Sequence, residues 1–296
     1  MAKPPMNQYR GRLAPSPTGY LHLGHARTFW VAWQRARAAH GKLIFRNEDL
    51  DYQRCKPEFV RAMYEDLRWL GLDWDEGFDL ESGISRGNFG PYSQSERRSF
   101  YLDAWRKLRD GGFIYPCTCS RKDLERALSA PHEETDDELP YPGTCREKIR
   151  TAKEYESPAG VSWRFKVPDG EMISLDDGHF GKQKFVAGLD FADFLLWRRD
   201  DIPAYQLAVV VDDSAMQITE VVRGADLLKS TGRQLLLIRA LGYSTPAYFH
   251  CPLLRDEKNA RLAKRHDALS LRKLRDQGVK AEELRKNFSL RWPSDP

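Results

Sequence analysis

The sequence predicts an α/β protein built on a parallel sheet with crossover helices. Two observations carry the prediction. In the N-terminal part, apolar runs of strand length alternate with amphipathic runs of helix length. Between the first strand and the first helix stands a proline-, glycine- and histidine-rich turn, "APSPTGYLHLGH". Such strand–turn–helix junctions hold anions in open α/β sheets.

The elements follow in order. "YRGRLAP" is a short strand running into a turn. "GHARTFWVAWQRARAAH" places Ala26, Phe29, Trp30, Trp33 and Ala36 at helical spacing, with Gly41 as a stop. "KLIFRNEDLD" reads as a buried strand ending in acidic residues. "KPEFVRAMYEDLRWLGLDWDEG" is a second helix, with Pro57 near its start and Gly71 at its end. "SQSERRSFYLDAWRKLRDGG" is a third, carrying Ser and Glu at N-cap-like positions. The segment from Pro116 to Arg150 changes character: it holds three cysteines and the acidic run "PHEETDDELP", the marks of an insertion. "VSWRFKVP" and "KFVAG" read as short antiparallel strands. "DFLLWRRDDIPAYQLAVVVDD" is apolar enough to return to the core, "ITEVVRGADLL" is a strand then a turn, and "TGRQLLLIRALGY" is a helix. The tail after Arg261 is basic and helix-like, either packed on the body or tracking a phosphate backbone.

The chain has 296 residues, with 47 Lys+Arg against 43 Asp+Glu, a net charge of 47 − 43 = +4. That length supports one large domain or two modest ones. Composition, 41% hydrophobic and 30% charged, suits a soluble protein with much wet surface. Mild basicity permits an RNA partner without requiring one. Five unevenly placed cysteines, Cys55, Cys117, Cys119, Cys145 and Cys251, argue against a secreted disulfide framework. The N-terminal "MAKPPMNQYR" lacks a signal-peptide core, and no stretch approaches the length of a membrane span. The expectation is a cytoplasmic protein without membrane contact, monomeric by default.

At the start of a helix the first backbone N–H groups have no internal partners, which makes an anion site. The turn lacks both the Walker lysine pattern and GxGxxG. It offers "HLGH" instead. His22 and His25, three residues apart, can face one side, and Gly24 lets a flat base or a phosphate approach the backbone. Imidazoles there can donate hydrogen bonds to charge developing on an attacked phosphate without presenting a nucleophile. The alternative is a pair of histidines that only cap and pack. "RLAKR", Arg261 to Arg265, is a second candidate: a basic loop able to close over a triphosphate, or a solvated basic turn.

Taken in order, "APSPTGYLHLGHART", "FRNEDLD", "YSQSERRSFY", "YQLAVVVDD", "ITEVVRGADLL" and "RLAKR" resemble the catalytic part of class I glutamyl-tRNA synthetases over nearly the whole chain. "HLGH" corresponds to the HIGH signature of that class and "RLAKR" to its KMSKS signature. The resemblance implies a Rossmann-like parallel sheet with a small cysteine-containing insertion and a short helical C-terminal region. The division it implies is 1–115 for the first half of the catalytic domain and 116–150 for a zinc-binding insertion. Residues 151–250 complete the insertion and the second half, and 251–296 form the KMSKS-like loop and tail. The chain stops about 30 residues past Lys264, so no anticodon-binding domain is expected. Within the family the resemblance is closest to truncated paralogues. It thus implies activation of L-glutamate with ATP and transfer to the queuosine in the anticodon of tRNA(Asp). The alternatives are a catalytic domain that charges a tRNA 3′ end, and a non-catalytic tRNA-binding or regulatory module. The presence of His22, His25, Glu48, Arg223 and Lys264 speaks against the module.

Glutamate demands fixed cations for its side-chain carboxylate and an anion for its amine. Arg12 and Arg223 at strand ends can each fork a carboxylate, Glu48 can pair the ammonium, and Tyr205 can add a hydroxyl and a wall. The resemblance implies that Arg12, Ala14, Ser16, Glu48, Tyr205 and Arg223 line the glutamate pocket. It gives ATP to His22, Gly24, His25, Arg261 and Lys264, with His22, His25 and Lys264 catalytic. Attack of the α-carboxylate on the α-phosphate then gives glutamyl-adenylate and pyrophosphate without a protein nucleophile. Mg²⁺ accompanies the ATP. The sequence departs from the pattern in three places. Arg261 stands where the signature has lysine and Ala263 where it has serine. Val209 stands where full-length glutamyl enzymes often carry asparagine.

Cys117, Cys119 and Cys145 offer three thiolates, and zinc takes four ligands. The candidates for the fourth are His132 and Tyr141. The second matches the Cys-x-Cys…Tyr-x-x-x-Cys arrangement of the resembled paralogues. Such a Zn²⁺ is structural, clamping an insertion too small to own a core. Free cysteines are the alternative, and Cys55 and Cys251 read as ordinary residues.

Overall fold

The computed structural model describes residues 8–80, 82–120, 122–123, 141–254 and 270–290. The chain opens with β1 (Arg10–Leu13), α1 (Leu23–Ala38), β2 (Lys42–Phe45) and α2 (Pro57–Trp69). A hairpin of β3 (Gly77–Asp79) and β4 (Ile84–Arg86) leads to α3 (Arg98–Asp110) and β5 (Ile114–Cys117), which carries the first cysteine. Four strands follow: β6 (Ser162–Phe165), β7 (Met172–Asp177), β8 (Gly181–Val186) and β9 (Phe194–Trp197). Then come α4 (Tyr205–Ala215), β10 (Glu220–Gly224), α5 (Leu228–Leu241) and β11 (Ala247–Cys251), and after the undescribed 255–269, α6 (Leu271–Asp276) and α7 (Ala281–Leu290).

Helix α1 forms where the spacing predicts it. Ala26, Val31, Ala32 and Ala36 are buried, Phe29, Trp30 and Trp33 are half-buried, and the helix stops short of Gly41. A Cβ at Gly41 would lie 2.5 Å from the Tyr9 carbonyl oxygen, so the close approach of the chain entering β1 admits only glycine. Proline opens α2, as expected. The N-cap expected for α3 does not form. Its cap residue is Arg97, with no side-chain cap bond. Ser95 is instead drawn to Asp49, donating through both its amide (2.9 Å) and its hydroxyl (2.8 Å), and Gln94–Glu96 form a separate 3₁₀ turn.

Strands β1 and β2 pair in parallel with Arg10 opposite Lys42, and β10 and β11 pair in parallel with Glu220 opposite Ala247. Beside β10 runs the other edge of β1: Thr219 N donates to Arg10 O, 2.9 Å, and Arg12 Nη1 to Val222 O, 2.9 Å. Two crossover units, β1–α1–β2 and β10–α5–β11, therefore run in opposite directions from a shared β1/β10 boundary. That boundary is a topological switch point, open at the carboxyl ends of its strands. β11 continues through one parallel bridge, Tyr248 to Asp177, into the antiparallel pair β7–β8. β5, β6 and β9 form a separate antiparallel sheet, so "VSWRFKVP" and "KFVAG" belong to different sheets.

Among the described residues, the two largest hydrophobic clusters support these layers. One gathers Trp105, Trp163, Trp197, Phe165 and Phe194 under α3, α4 and α5. The other packs Leu13, Ala26, Phe45 and Leu67 against Leu271, Leu284 and Phe288, so the basic tail is an amphipathic pair of helices lying on the body. No described helix is long and apolar enough to cross a membrane.

Candidate active site

His22 is the N-cap of α1, and its extended backbone directs the ring back over the first turn. Nδ1 accepts from Gly24 N (3.0 Å) and His25 N (3.4 Å). The helix N-terminus is thus not a row of open N–H groups, as the sequence suggested; two of them are satisfied by imidazole. A ring accepting at Nδ1 is neutral and carries its proton on Nε2, so it becomes an oriented donor. Desolvation lowers the His22 pKa, opposed by Asp226. The His25 ring stacks on it, with centroids 3.7 Å apart and planes 25° from parallel. Desolvation, then repulsion from His22, takes the His25 pKa down to about 3. His25 nevertheless keeps accessible surface, the combination expected of a group lining a concave cleft. Gly24 is needed for this pair: a Cβ there would stand 2.9 Å from His22 Cε1.

At the ends of β1 and β2 lies a cluster of buried charges. The loops after β1 and β2 bond to each other, Arg46 N to Leu13 O (2.9 Å) and Glu48 N to Pro15 O (3.1 Å). This sets half-buried Ala14 and exposed Ser16 beside Glu48. Arg46, fully buried, donates to Glu48 Oε1 (2.9 Å) and Asp213 Oδ1 (2.7 Å), and Arg12 Nε lies 3.4 Å from the same Asp213 oxygen. Burial pushes the Glu48 carboxyl up, while Arg46 and Arg12 pull the other way. For Asp213 burial also pushes up, but Arg46 and Arg12 overcome it and the carboxyl is held low.

Arg223, at the end of β10, is anchored on two sides. Nε donates to His250 Nε2 (3.2 Å) and Nη2 to Thr231 Oγ1 (2.7 Å), while Nη1 turns toward the Tyr205 hydroxyl at 3.5 Å. Tyr205 opens α4 and is 38% exposed, yet burial raises its hydroxyl pKa and the charges of Arg223, Glu48, Arg12 and Asp213 all reach it. Accessible but desolvated, it marks the wall of the same cleft.

Arg12, Ala14, Ser16, Glu48, Tyr205 and Arg223 are therefore gathered around the carboxyl ends of β1, β2 and β10, and His22, Gly24 and His25 at the start of the helix that follows β1. Asp226, two residues past Gly224, reaches His22 through its field. Arg261, Lys264 and His132 lie outside the described residues. Sequence reasoning missed Arg46, Asp177, Asp213, Thr231 and His250. Arg46 and Asp213 were visible inside "FRNEDLD" and "YQLAVVVDD"; nothing local marks the other three.

At the end of β5 the cysteines converge. Cys119 Sγ is 3.6 Å from Cys145 Sγ, and the Tyr141 hydroxyl is 3.5 Å from Cys117 Sγ and 3.8 Å from Cys119 Sγ. All three sulfurs lie within 4.8 Å of one another. Bonds of about 2.3 Å to sulfur and about 2.0 Å to oxygen give a zinc tetrahedron S–S edges of about 3.8 Å and S–O edges of about 3.5 Å. The donor set fits that figure. Arg146 ties the cluster to the body through Asp193 (2.6 Å), and the Arg164 guanidinium lies 4.0 Å over the Tyr141 ring.

A switch point flanked by paired imidazoles and by a pocket of fixed arginines is the catalytic architecture of a class I aminoacyl-tRNA synthetase, an ATP-dependent ligase. The chain belongs to the glutamate and glutamine branch: the family model for class I tRNA synthetases (E and Q), catalytic domain, matches residues 8–294. It is 50% identical over 280 residues to a glutamyl-Q tRNA(Asp) synthetase of Nitratidesulfovibrio vulgaris, covering 93% of this chain and 83% of the relative. A protein of the same name from Symbiobacterium thermophilum is 49% identical over 277 residues, with the same coverage of 93% and 83%. The crystal structure of a glutamate-tRNA synthetase from Elizabethkingia anophelis superposes with a TM-score of 0.73 at 31% identity. That match covers 92% of this chain and 54% of the other, so the chain spans about half the length of that enzyme.

Proposed function

We propose that the protein activates L-glutamate with ATP and transfers it to the queuosine of tRNA(Asp). The observation that carries the reading is the anchored Arg223, whose Nη1 faces the cleft beside Tyr205, with Glu48 in the same pocket. Arg223, with Arg12 as second cation, takes the side-chain carboxylate, and Glu48 takes the ammonium. The remaining α-carboxylate then points across the switch point. Its oxygen attacks the α-phosphorus of ATP, the bond to the bridging oxygen breaks, and pyrophosphate leaves. A queuosine hydroxyl then attacks the glutamyl carbonyl and releases AMP. His22, neutral and donating through Nε2, stabilises charge on the phosphate oxygens, with His25 stacked behind it. Lys264 and Arg261 supply cations from their loop. In support, the described chain resumes at Ser270, which is bridged to His22, with Leu271 N donating to Leu21 O, 2.8 Å. Mg²⁺ travels with the polyphosphate as its counter-ion. The choice of queuosine over a tRNA 3′ end rests on 50% and 49% identity to two relatives of that name, each covered to 83% of its length, against 43% to a glutamate–tRNA ligase covered to 56%.

The test uses labelled glutamate and ATP. Label is expected on tRNA(Asp) that carries queuosine and in its anticodon fragment after nuclease digestion. None is expected on tRNA(Asp) made without queuosine or on tRNA(Glu). Label at a 3′ end would replace this reading with that of a tRNA-charging enzyme. Absence of glutamate-dependent pyrophosphate exchange would remove both.

The raised Glu48 carboxyl gives glutamate binding a pH dependence with a defined sign. Protonated Glu48 is neutral and cannot pair the ammonium, so KM for glutamate falls as pH rises through the Glu48 pKa and then levels. E48Q is expected to raise KM about 30- to 100-fold, the worth of a charge-assisted hydrogen bond. It should also flatten the acidic limb. An unchanged limb in E48Q would assign the titration to another group.

Cys117, Cys119, Tyr141 and Cys145 hold a structural Zn²⁺ in this reading, clamping the strand end to the rest of the insertion. Purified protein is expected to contain about one zinc per chain by mass spectrometry of the metal, and C145S less than about a tenth of that. Equal zinc in both would move the metal elsewhere.

A further inference from the structure

Behind Arg223 lies a buried pair of residues. His250 is fully buried on β11, and Asp177 is 3% exposed at the end of β7. His250 Nδ1 is 2.6 Å from Asp177 Oδ2, and the same carboxylate accepts from the backbone N–H groups of His179 (3.0 Å) and Phe180 (2.9 Å). A carboxylate so placed accepts, so the proton of the imidazole sits on Nδ1 and Nε2 is left as an acceptor. Nε2 is the atom that receives Arg223 Nε–H at 3.2 Å, with Thr231 Oγ1 at 3.0 Å.

We infer that Asp177 and His250 are positioning residues for substrate recognition: Asp177 fixes the imidazole tautomer, and the tautomer fixes the guanidinium plane of Arg223 that faces the substrate carboxylate. The chain of bonds spans three parallel neighbours, β7, β11 and β10, whose backbone spacing is set by the sheet, so the guanidinium inherits the rigidity of the sheet. Without Nε2 as acceptor, Arg223 keeps Thr231 at 2.7 Å and the long contact with the Tyr205 hydroxyl at 3.5 Å, and the fork can swing about the Thr231 bond. This inference rests on the reading that Arg223 binds the carboxylate of glutamate, and the experiment separates the two.

Two amide replacements divide the functions of the ring, because asparagine reaches about as far as Nδ1 and glutamine about as far as Nε2. H250N keeps the partner of Asp177 and removes the acceptor for Arg223; H250Q restores that acceptor. In pyrophosphate exchange, H250N is expected to raise KM for glutamate about tenfold, with KM for ATP within about twofold of the parent. H250Q is expected to recover most of the loss. Equal shifts in the two variants, or none in either, would overturn the positioning role while an effect of R223A leaves the carboxylate site standing. No effect of R223A on glutamate would overturn both. Should H250N fail to fold, ¹⁵N spectra of the parent protein decide. His250, identified by loss of its signals in H250Q, is expected as the Nδ1–H tautomer, and an Nε2–H or doubly protonated ring would sink the inference.

Discussion

R223A is expected to lower kcat/KM for glutamate in pyrophosphate exchange by about 10³-fold, roughly 4 kcal/mol at 1.4 kcal/mol per decade. The size follows from what the guanidinium does in the cleft. It is 4% exposed, so a carboxylate brought to it sheds water on both sides and depends on the fork for compensation. Removing the cation leaves the incoming carboxylate desolvated with Arg12 as its remaining cation, and Arg12 already lies 3.4 Å from Asp213. The fold should tolerate the change. Thr231 keeps its contacts with His250 (3.0 Å) and Leu227 O (3.3 Å), so no buried group loses its last partner. KM for ATP should stay within about threefold, because the imidazole side of the switch point does not use Arg223. R223K keeps the charge but not the planar fork and is expected to recover no more than about tenfold. Discrimination between glutamate and glutamine, measured in the same assay, should shrink in R223A. Unchanged discrimination would mean that another group reads the side-chain carboxylate.

How much of this was legible in the sequence depended on whether the informative residues were neighbours along the chain. The β1–α1–β2 alternation is local periodicity, and "HLGH" is two candidate catalytic rings inside four residues, so both could be read. Even there one inference failed. The open helix N-terminus was expected from backbone chemistry alone, and the backbone cannot reveal that the His22 ring turns back onto Gly24 N and His25 N. The cap of α3 was misread for the same reason: no serine of "SQSE" caps the helix, and Ser95 bonds to Asp49, 46 positions away in sequence. Asp177 and His250 are separated by 73 residues, and Arg97 and Asp212 by 115. Each is an unremarkable residue until the sheet order brings its partner beside it. The candidate glutamate pocket was partly legible because most of its residues stand at or just beyond strand ends, where the chemistry of α/β sheets collects. The scaffold that fixes those residues was not, because it is made of contacts between strands.

That scaffold has a centre, and its loss sets the largest effect expected on stability. Asp212, fully buried in α4, accepts from Arg97 Nε (2.6 Å), Gln94 Nε2 (2.8 Å) and the Tyr101 hydroxyl (2.9 Å), and Arg46 Nε lies 3.9 Å away. Arg97 and Arg46 are themselves 0% exposed. D212N conserves shape and removes one negative charge. Arg97 then loses its carboxylate, keeping the Phe89 and Pro91 carbonyls at 3.2 and 2.7 Å as neutral partners. Arg46 keeps Glu48 and Asp213. An uncompensated buried cation costs about 3–5 kcal/mol, which in a chain of this size lowers Tm by roughly 10 °C. Urea unfolding of D212N should show the corresponding drop in midpoint at constant slope. Because the cost is that of a stranded charge and not of a lost contact, R97M should destabilise D212N less than it destabilises the parent, a coupling of about 2 kcal/mol. At a temperature where D212N is folded, KM for glutamate should stay within about twofold, since Asp212 holds the helix from which Tyr205 projects and faces no substrate itself. Additive losses in the two variants would show that Arg97 finds another anion when Asp212 is neutral, and the buried cluster would then be several independent pairs instead of one network.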